Sequence, residues 1–93
     1  MNHRDNFCQT PIYYAVREGH YELTQKLIEY GANVNNEDVN GQTALFYGAR
    51  EGHKELSELL INNGAIPNKK DNKRQTPIYW ARKNNRKEVR DSV

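Results

Sequence analysis

Few side chains in this sequence have the type and spacing that chemistry needs, and those few suit recognition better than reaction. Of three histidines, His20 and His53 each follow a glycine and stand 33 residues apart, so a repeated local structure places them rather than a shared ligand set; His3 lies outside that register. Cys8 is the single cysteine, which excludes an internal disulfide and a four-cysteine zinc site. No nucleophile, base and orienting group occur together in a motif, and no glycine-rich phosphate loop or pair of zinc ligands is present. The expectation is a protein that is not an enzyme and uses neither cofactor nor metal. What stands out instead is a triad of aromatic, basic and acidic residues. Tyr14, Arg17 and Glu18 lie at i, i+3 and i+4, on one face of a helix. The pattern returns as Tyr47, Arg50 and Glu51, then as Trp80, Lys83 and Asn84. Tyr, Trp and Arg are the types enriched where proteins bind one another.

The elements that must position these triads are set by a 33-residue period. Thr10, Thr43 and Thr76 open three similar segments, TPIYYAVREGH, TALFYGAREGH and TPIYWARKNNR, and the same step links Asp5, Asp38 and Asp71, and Gln9, Gln42 and Gln75. A fixed period of this length means stacked supersecondary units, none of which buries its apolar face alone. Each threonine is placed to cap a helix with its hydroxyl. Pro11 and Pro77 follow at the first helical position, where the missing donor costs nothing. Ile12, Ala15 and Val16, and likewise Leu45, Gly48 and Ala49, form a small apolar face for close packing. Gly19 and Gly52 end this helix, with Asn85 in the third slot. A second helix starts at His20, His53 or Arg86, with buried stripes expected of Leu23, Leu27 and Ile28, and of Leu56, Leu59, Leu60 and Ile61. It stops at Gly31 or Gly64, and the turn-rich GANVNNEDVNGQ and GAIPNKKDNKRQ then project as loops.

Together these features resemble the ankyrin repeat, whose signature joins the 33-residue period to TPLHLA, GH, a leucine-rich second helix and GADVN. The resemblance implies an all-α repeat: a solenoid of helix-turn-helix units with projecting hairpin fingers, whose first helices line a concave groove. It divides residues 1–93, one domain, into a finger (1–9), two repeats (10–42 and 43–75) and a partial or capping repeat (76–93). Three departures carry consequences. Tyr13, Phe46 and Tyr79 replace the histidine of TPLH, so aromatic packing is expected in place of its polar bonding. Pro67 replaces a finger valine. Cys8 and Arg74 take the turn position that Gly41 keeps, so the first and third fingers are expected to be less regular.

Two surfaces are candidates for binding. The triads would form an aromatic line beside a charged line along the groove, or else the aromatics only seal one unit against the next. By the resemblance, finger positions Asn6, Phe7, Gln9, Val39, Asn40, Gln42, Asn72, Lys73 and Gln75 are exposed. Phe7 and Val39 are apolar there, and Phe7 alternatively packs on a preceding unit. Charge is uneven: residues 1–68 carry five basic and nine acidic side chains, residues 69–93 nine and three. That end, with Lys69, Lys70, Lys73, Arg74, Arg82, Lys83, Arg86, Lys87 and Arg90, would steer an acidic or phosphorylated partner, or serve as the polar cap a terminal repeat needs. A net charge of +2 argues against nucleic acid.

With 35% hydrophobic residues and a mean hydropathy of −1.07, the chain calls for a thin core. No apolar run reaches the roughly 18 residues of a membrane span, and MNHRDNFCQT is not a signal peptide. A cytoplasmic or nuclear location is expected. Two full units and a part lie below the three that stability usually needs, which points to a piece of a longer polypeptide, the alternative being a shortened polar cap. The function expected is a protein-protein interaction module binding a protein partner through groove and finger tips. The alternative is a regulatory or substrate-docking segment of a larger enzyme or channel.

Overall fold

The computed structural model describes residues 3–83. Five helices follow in order: α1 Pro11–Arg17, α2 Tyr21–Glu29, α3 Ala44–Arg50, α4 Lys54–Asn62 and α5 Pro77–Lys83. No strand occurs among the described residues, so the fingers are tight turns rather than paired strands. Helices of seven to nine residues are too short to persist on propensity alone, and packing must hold them. The central α3 supplies that packing, lying against α1 on one side and α5 on the other, with α4 behind it. Ile12, Tyr13, Val16, Leu45, Phe46 and Leu60 form the fully buried heart of the core. Gly48 is small for a reason the structure gives: a Cβ there would lie 3.1 Å from Ser57 Oγ and 3.2 Å from Val16 Cγ1.

Two local expectations need correction. Thr10 and Thr43 stand at the N-cap positions with extended backbones, but their hydroxyls make no capping bond. The amides of Tyr13 and Phe46 donate to the threonine carbonyls at 3.0 Å instead, which leaves two buried hydroxyls without a partner. Only Thr76 Oγ1 accepts an amide, that of Tyr79, at 3.4 Å. The first leucine stripe also differs. Leu56 is 3% exposed, while Leu23 in the same register is 48% exposed and Leu27 and Ile28 are half-buried. α4 is covered by α2, whereas the face of α2 that bears Leu23 has no described neighbour. Asn84, Asn85 and Arg86 lie outside the described residues.

The recurrent histidine is structural in the second unit. His53 Nε2 lies 3.1 Å from the carbonyl oxygen of Arg17, and its ring packs over Gly19, so it joins the end of one first helix to the start of the next unit's second helix. His20, with no such helix beside it among the described residues, is exposed.

Candidate functional site

Each finger is built around one aspartate. Asp5 Oδ1 accepts the amides of Phe7 and Gln9, Asp38 Oδ1 those of Asn40 and Gln42, and Asp71 Oδ1 those of Lys73 and Gln75, all within 2.9 to 3.0 Å. Three residues after each aspartate the backbone enters the left-handed region, with φ of 62° at Cys8, 72° at Gly41 and 62° at Arg74. The first and third fingers are therefore as regular as the middle one, contrary to expectation. The aspartate scaffold imposes the conformation even where a side chain makes it costly, by about 1–2 kcal/mol. Neighbouring fingers are then joined by equivalent bonds: the Val39 amide donates to Phe7 O at 3.0 Å and the Asn72 amide to Asn40 O at 2.9 Å.

The second carboxylate oxygen ties units together. Asp38 Oδ2 accepts Gln9 Nε2 at 3.1 Å from the finger before and the Tyr47 hydroxyl at 2.7 Å from the helix after. One step on, Asp71 Oδ2 accepts Gln42 Nε2 at 3.0 Å and Trp80 Nε1 at 3.3 Å. Of the glutamines expected at the finger surface, Gln9 and Gln42 serve here as cross-links; Gln42 is buried and Gln9 and Gln75 are half-buried. These bonds have electrostatic consequences. Burial, followed by the bond to Asp38 and that carboxylate's charge, pushes the Tyr47 phenol up to about 12. Burial would raise the Asp71 carboxyl, but bonds from Gln42, the Gln75 and Lys73 amides and Trp80 outweigh it and hold it below its ordinary value. Tyr13 is tied down similarly: its hydroxyl donates to the carbonyls of Asn36 and Gln42, and burial raises its pKa strongly. Polar bonding at the TPLH histidine position is thus retained by Tyr13, while Phe46 packs as expected.

Above this floor the predicted triads form an interleaved stack. Arg17 Cζ lies 5.4 Å from the Tyr14 ring centre and 4.9 Å from that of Tyr47; Arg50 Cζ lies 4.5 Å from Tyr47 and 5.6 Å from Trp80; Lys83 Nζ lies 5.2 Å from Trp80. Such cation–ring contacts within 6 Å are attractive. The aromatics do not form one exposed line. Tyr14 is 63% exposed, Trp80 half-buried and Tyr47 only 5% exposed, because Tyr47 has a unit on both sides. The rings lie between the units and carry basic groups on their outer faces. Glu18 and Glu51 are exposed C-caps, one residue beyond each arginine. Asn84 lies outside the described residues.

Fingers and helices meet at a recess of about 190 Å³, bounded by Asn40, Asn72 and Lys73 on the finger side and by Arg50, Tyr47 and Trp80 on the helix side. Phe7 and Val39 are 63% and 49% exposed, and Asn40, Asn72 and Lys73 are exposed too. Sequence reasoning placed the helix triads and the finger residues on two candidate surfaces, and the structure brings Asn40, Lys73 and Arg50 together at one recess. It did not assign roles to Asp38 and Asp71, although their recurrence at the 33-residue step was the available signal. Among the described residues no group of three His, Cys, Asp or Glu could hold a metal ion.

Comparison with known proteins decides the family. The family model for ankyrin repeats, in three copies, matches residues 12–91. The chain belongs to the ankyrin repeat family. Over 35 residues it is also 43% identical to an ankyrin repeat protein of Fowlpox virus (strain NVSL), a match covering 38% of this chain and 5% of that relative. Ankyrin repeats are in general protein-protein interaction modules. No described helix is long and apolar enough to cross a membrane.

Proposed function

We propose that this ankyrin module holds a protein partner in the angle between its fingers and first helices, and contributes binding rather than chemistry. The observation that carries the reading is the repetition of one surface, unit by unit: Arg17 over Tyr14 and Tyr47, Arg50 over Tyr47 and Trp80, Lys83 over Trp80, beside a recess edged by Asn40 and Lys73. Guanidinium groups held on rings are pre-organised, so less side-chain entropy is lost when they engage a ligand.

The test compares proteins retained by the immobilised 93-residue chain with those retained by single variants. Arg50→Ala and Lys73→Ala alter the groove, whereas Lys26→Ala alters exposed α2 and serves as control. Specific proteins lost with the two groove variants but kept by Lys26→Ala support the reading. Retention that ignores Arg50 and Lys73 but falls with Lys26→Ala places the binding surface on the second helices instead. Tyr47→Ala is unsuitable, since Tyr47 is buried and would disturb the fold.

A further inference from the structure

The groove's charges have a pattern that selects among protein partners, an inference that rests on the groove being the binding surface. Arg17, Arg50 and Lys83 come from α1, α3 and α5, one cation per unit. Adjacent packed helices lie roughly 8–10 Å apart. A chain extended in the polyproline II form has three residues per turn and rises about 3.1 Å per residue, so every third side chain faces the same way, advances about 9 Å and keeps pace with the units.

Local anions narrow the ligand further. Asp38 and Asp71 lie buried beneath the stack with both carboxylate oxygens bonded, and Glu18 and Glu51 stand at the helix C-caps. These four carboxylates offset Arg17, Arg50, Lys83 and Lys73, leaving no continuous positive field of the kind a polyphosphate backbone requires. Discrete cations set between anions suit discrete carboxylates instead. Glu18 and Glu51 repel acidic groups at the helix ends, so the open track runs on the finger side, where Lys73 and the Asn40 and Asn72 amides edge the recess. Ring stacking engages the faces of a guanidinium, and the edge of such a group is where the two parallel N–H bonds to a carboxylate form. A guanidinium has five donors; Arg17 gives one, from Nη2, to Gln9 Oε1 at 2.8 Å.

We propose that the groove binds an extended protein segment bearing Asp or Glu at every third residue, each carboxylate meeting the ring-stacked cation of one ankyrin unit. The probes are fluorescein-labelled peptides titrated by anisotropy against the whole 93-residue chain: repeats of Glu-Ser-Gly, the same repeats with Gln for Glu, and an equal number of glutamates clustered at one end. A single-stranded oligonucleotide is the fourth probe. The spaced acidic peptide should bind about tenfold tighter than both the clustered and the uncharged ones. Arg50→Gln and Lys83→Gln should each weaken it several-fold, Arg50→Lys should also weaken it by losing the fork geometry, and Lys26→Gln should leave it unchanged. Thermal melting of each variant separates lost binding from lost fold.

Equal affinity for clustered and spaced glutamates overturns the proposal, as does tighter binding of the oligonucleotide or no binding of any acidic peptide. If acidic peptides fail while protein retention still depends on Arg50 and Lys73, only this inference falls. If that dependence is absent as well, the assignment of the groove falls with it.

Discussion

Replacing Asp38 with asparagine tests the cross-link between units, and the same replacement at Asp5 supplies its own control. Both aspartates hold their finger through two amide bonds at Oδ1, which an asparagine oxygen can keep. Asp38 Oδ2 additionally accepts Gln9 Nε2 and the Tyr47 hydroxyl at a buried position, whereas Asp5 is exposed. Asp38→Asn puts an NH₂ group against those two donors. Each lost bond to a charged acceptor is worth about 1.5–3 kcal/mol, and about 1 kcal/mol returns when the Tyr47 hydroxyl turns to accept from the new amide. The net loss expected is about 2–5 kcal/mol, out of the roughly 5–15 kcal/mol that holds a domain folded. Asp5→Asn should cost less than about 0.5 kcal/mol. Urea unfolding followed by circular dichroism reads the difference directly, and thermal melting should show a drop of about 8–40 °C for Asp38→Asn. Adding Tyr47→Phe to Asp38→Asn should cost less than the two single losses combined, since both remove the same bond. Equal losses at Asp5 and Asp38, or strict additivity with Tyr47→Phe, would refute the cross-link as a source of stability.

Three further outcomes follow from the same structure. At the left-handed finger position, Gly41→Ala should destabilise by about 2 kcal/mol, because φ is 72° and a Cβ would lie 2.4 Å from Asn72 Oδ1 and 3.1 Å from the Asn72 amide; Arg74→Gly, at φ 62°, should stabilise by about 0.5–1 kcal/mol in the same urea assay. The lowered Asp71 carboxyl contributes stability that is present above the unfolded carboxylate range, near pH 4, and is lost as pH falls through its lower folded value; melting from pH 7 down to pH 2 should show an acid limb that is shallower in Asp71→Asn. Tyr47 has the opposite sense: the unfolded phenol ionises near pH 10 and the folded one near 12, so stability should fall as pH rises across that interval, and less steeply in Tyr47→Phe.

Much of the architecture was legible in single residues. Pro11 and Pro77 open first helices, Gly48 stands where helices approach closely, and the arginines three residues after Tyr14 and Tyr47 lie on the helix face that the spacing assigned them. Such features depend on local geometry, which a helix repeats wherever the pattern occurs. The Thr10 and Thr43 hydroxyls depart from the expected capping because a local rule, capping by a side chain, lost to another local option, a bond from the same amide to the threonine carbonyl. Finger regularity was misread at Cys8 and Arg74 because a glycine preference was given more weight than two amide bonds to an aspartate.

The sequence by itself determined the unit: its period, its helices, its turn positions and which residues share a register. It could not determine what residues of one register would do, because that depends on neighbours supplied by the stack. Tyr14 and Tyr47 differ only in having a unit on one described side or on both, and this takes one ring from 63% to 5% exposed. Leu23 and Leu56 diverge for the same reason. Gln9, Asp38 and Tyr47 are separated by 29 and 9 residues and become one hydrogen-bonded group only when finger, finger and helix are brought together. Burial and long-range bonding are properties of the assembled stack, and so the tertiary structure decided which repeated residues hold the units together and which remain on the groove.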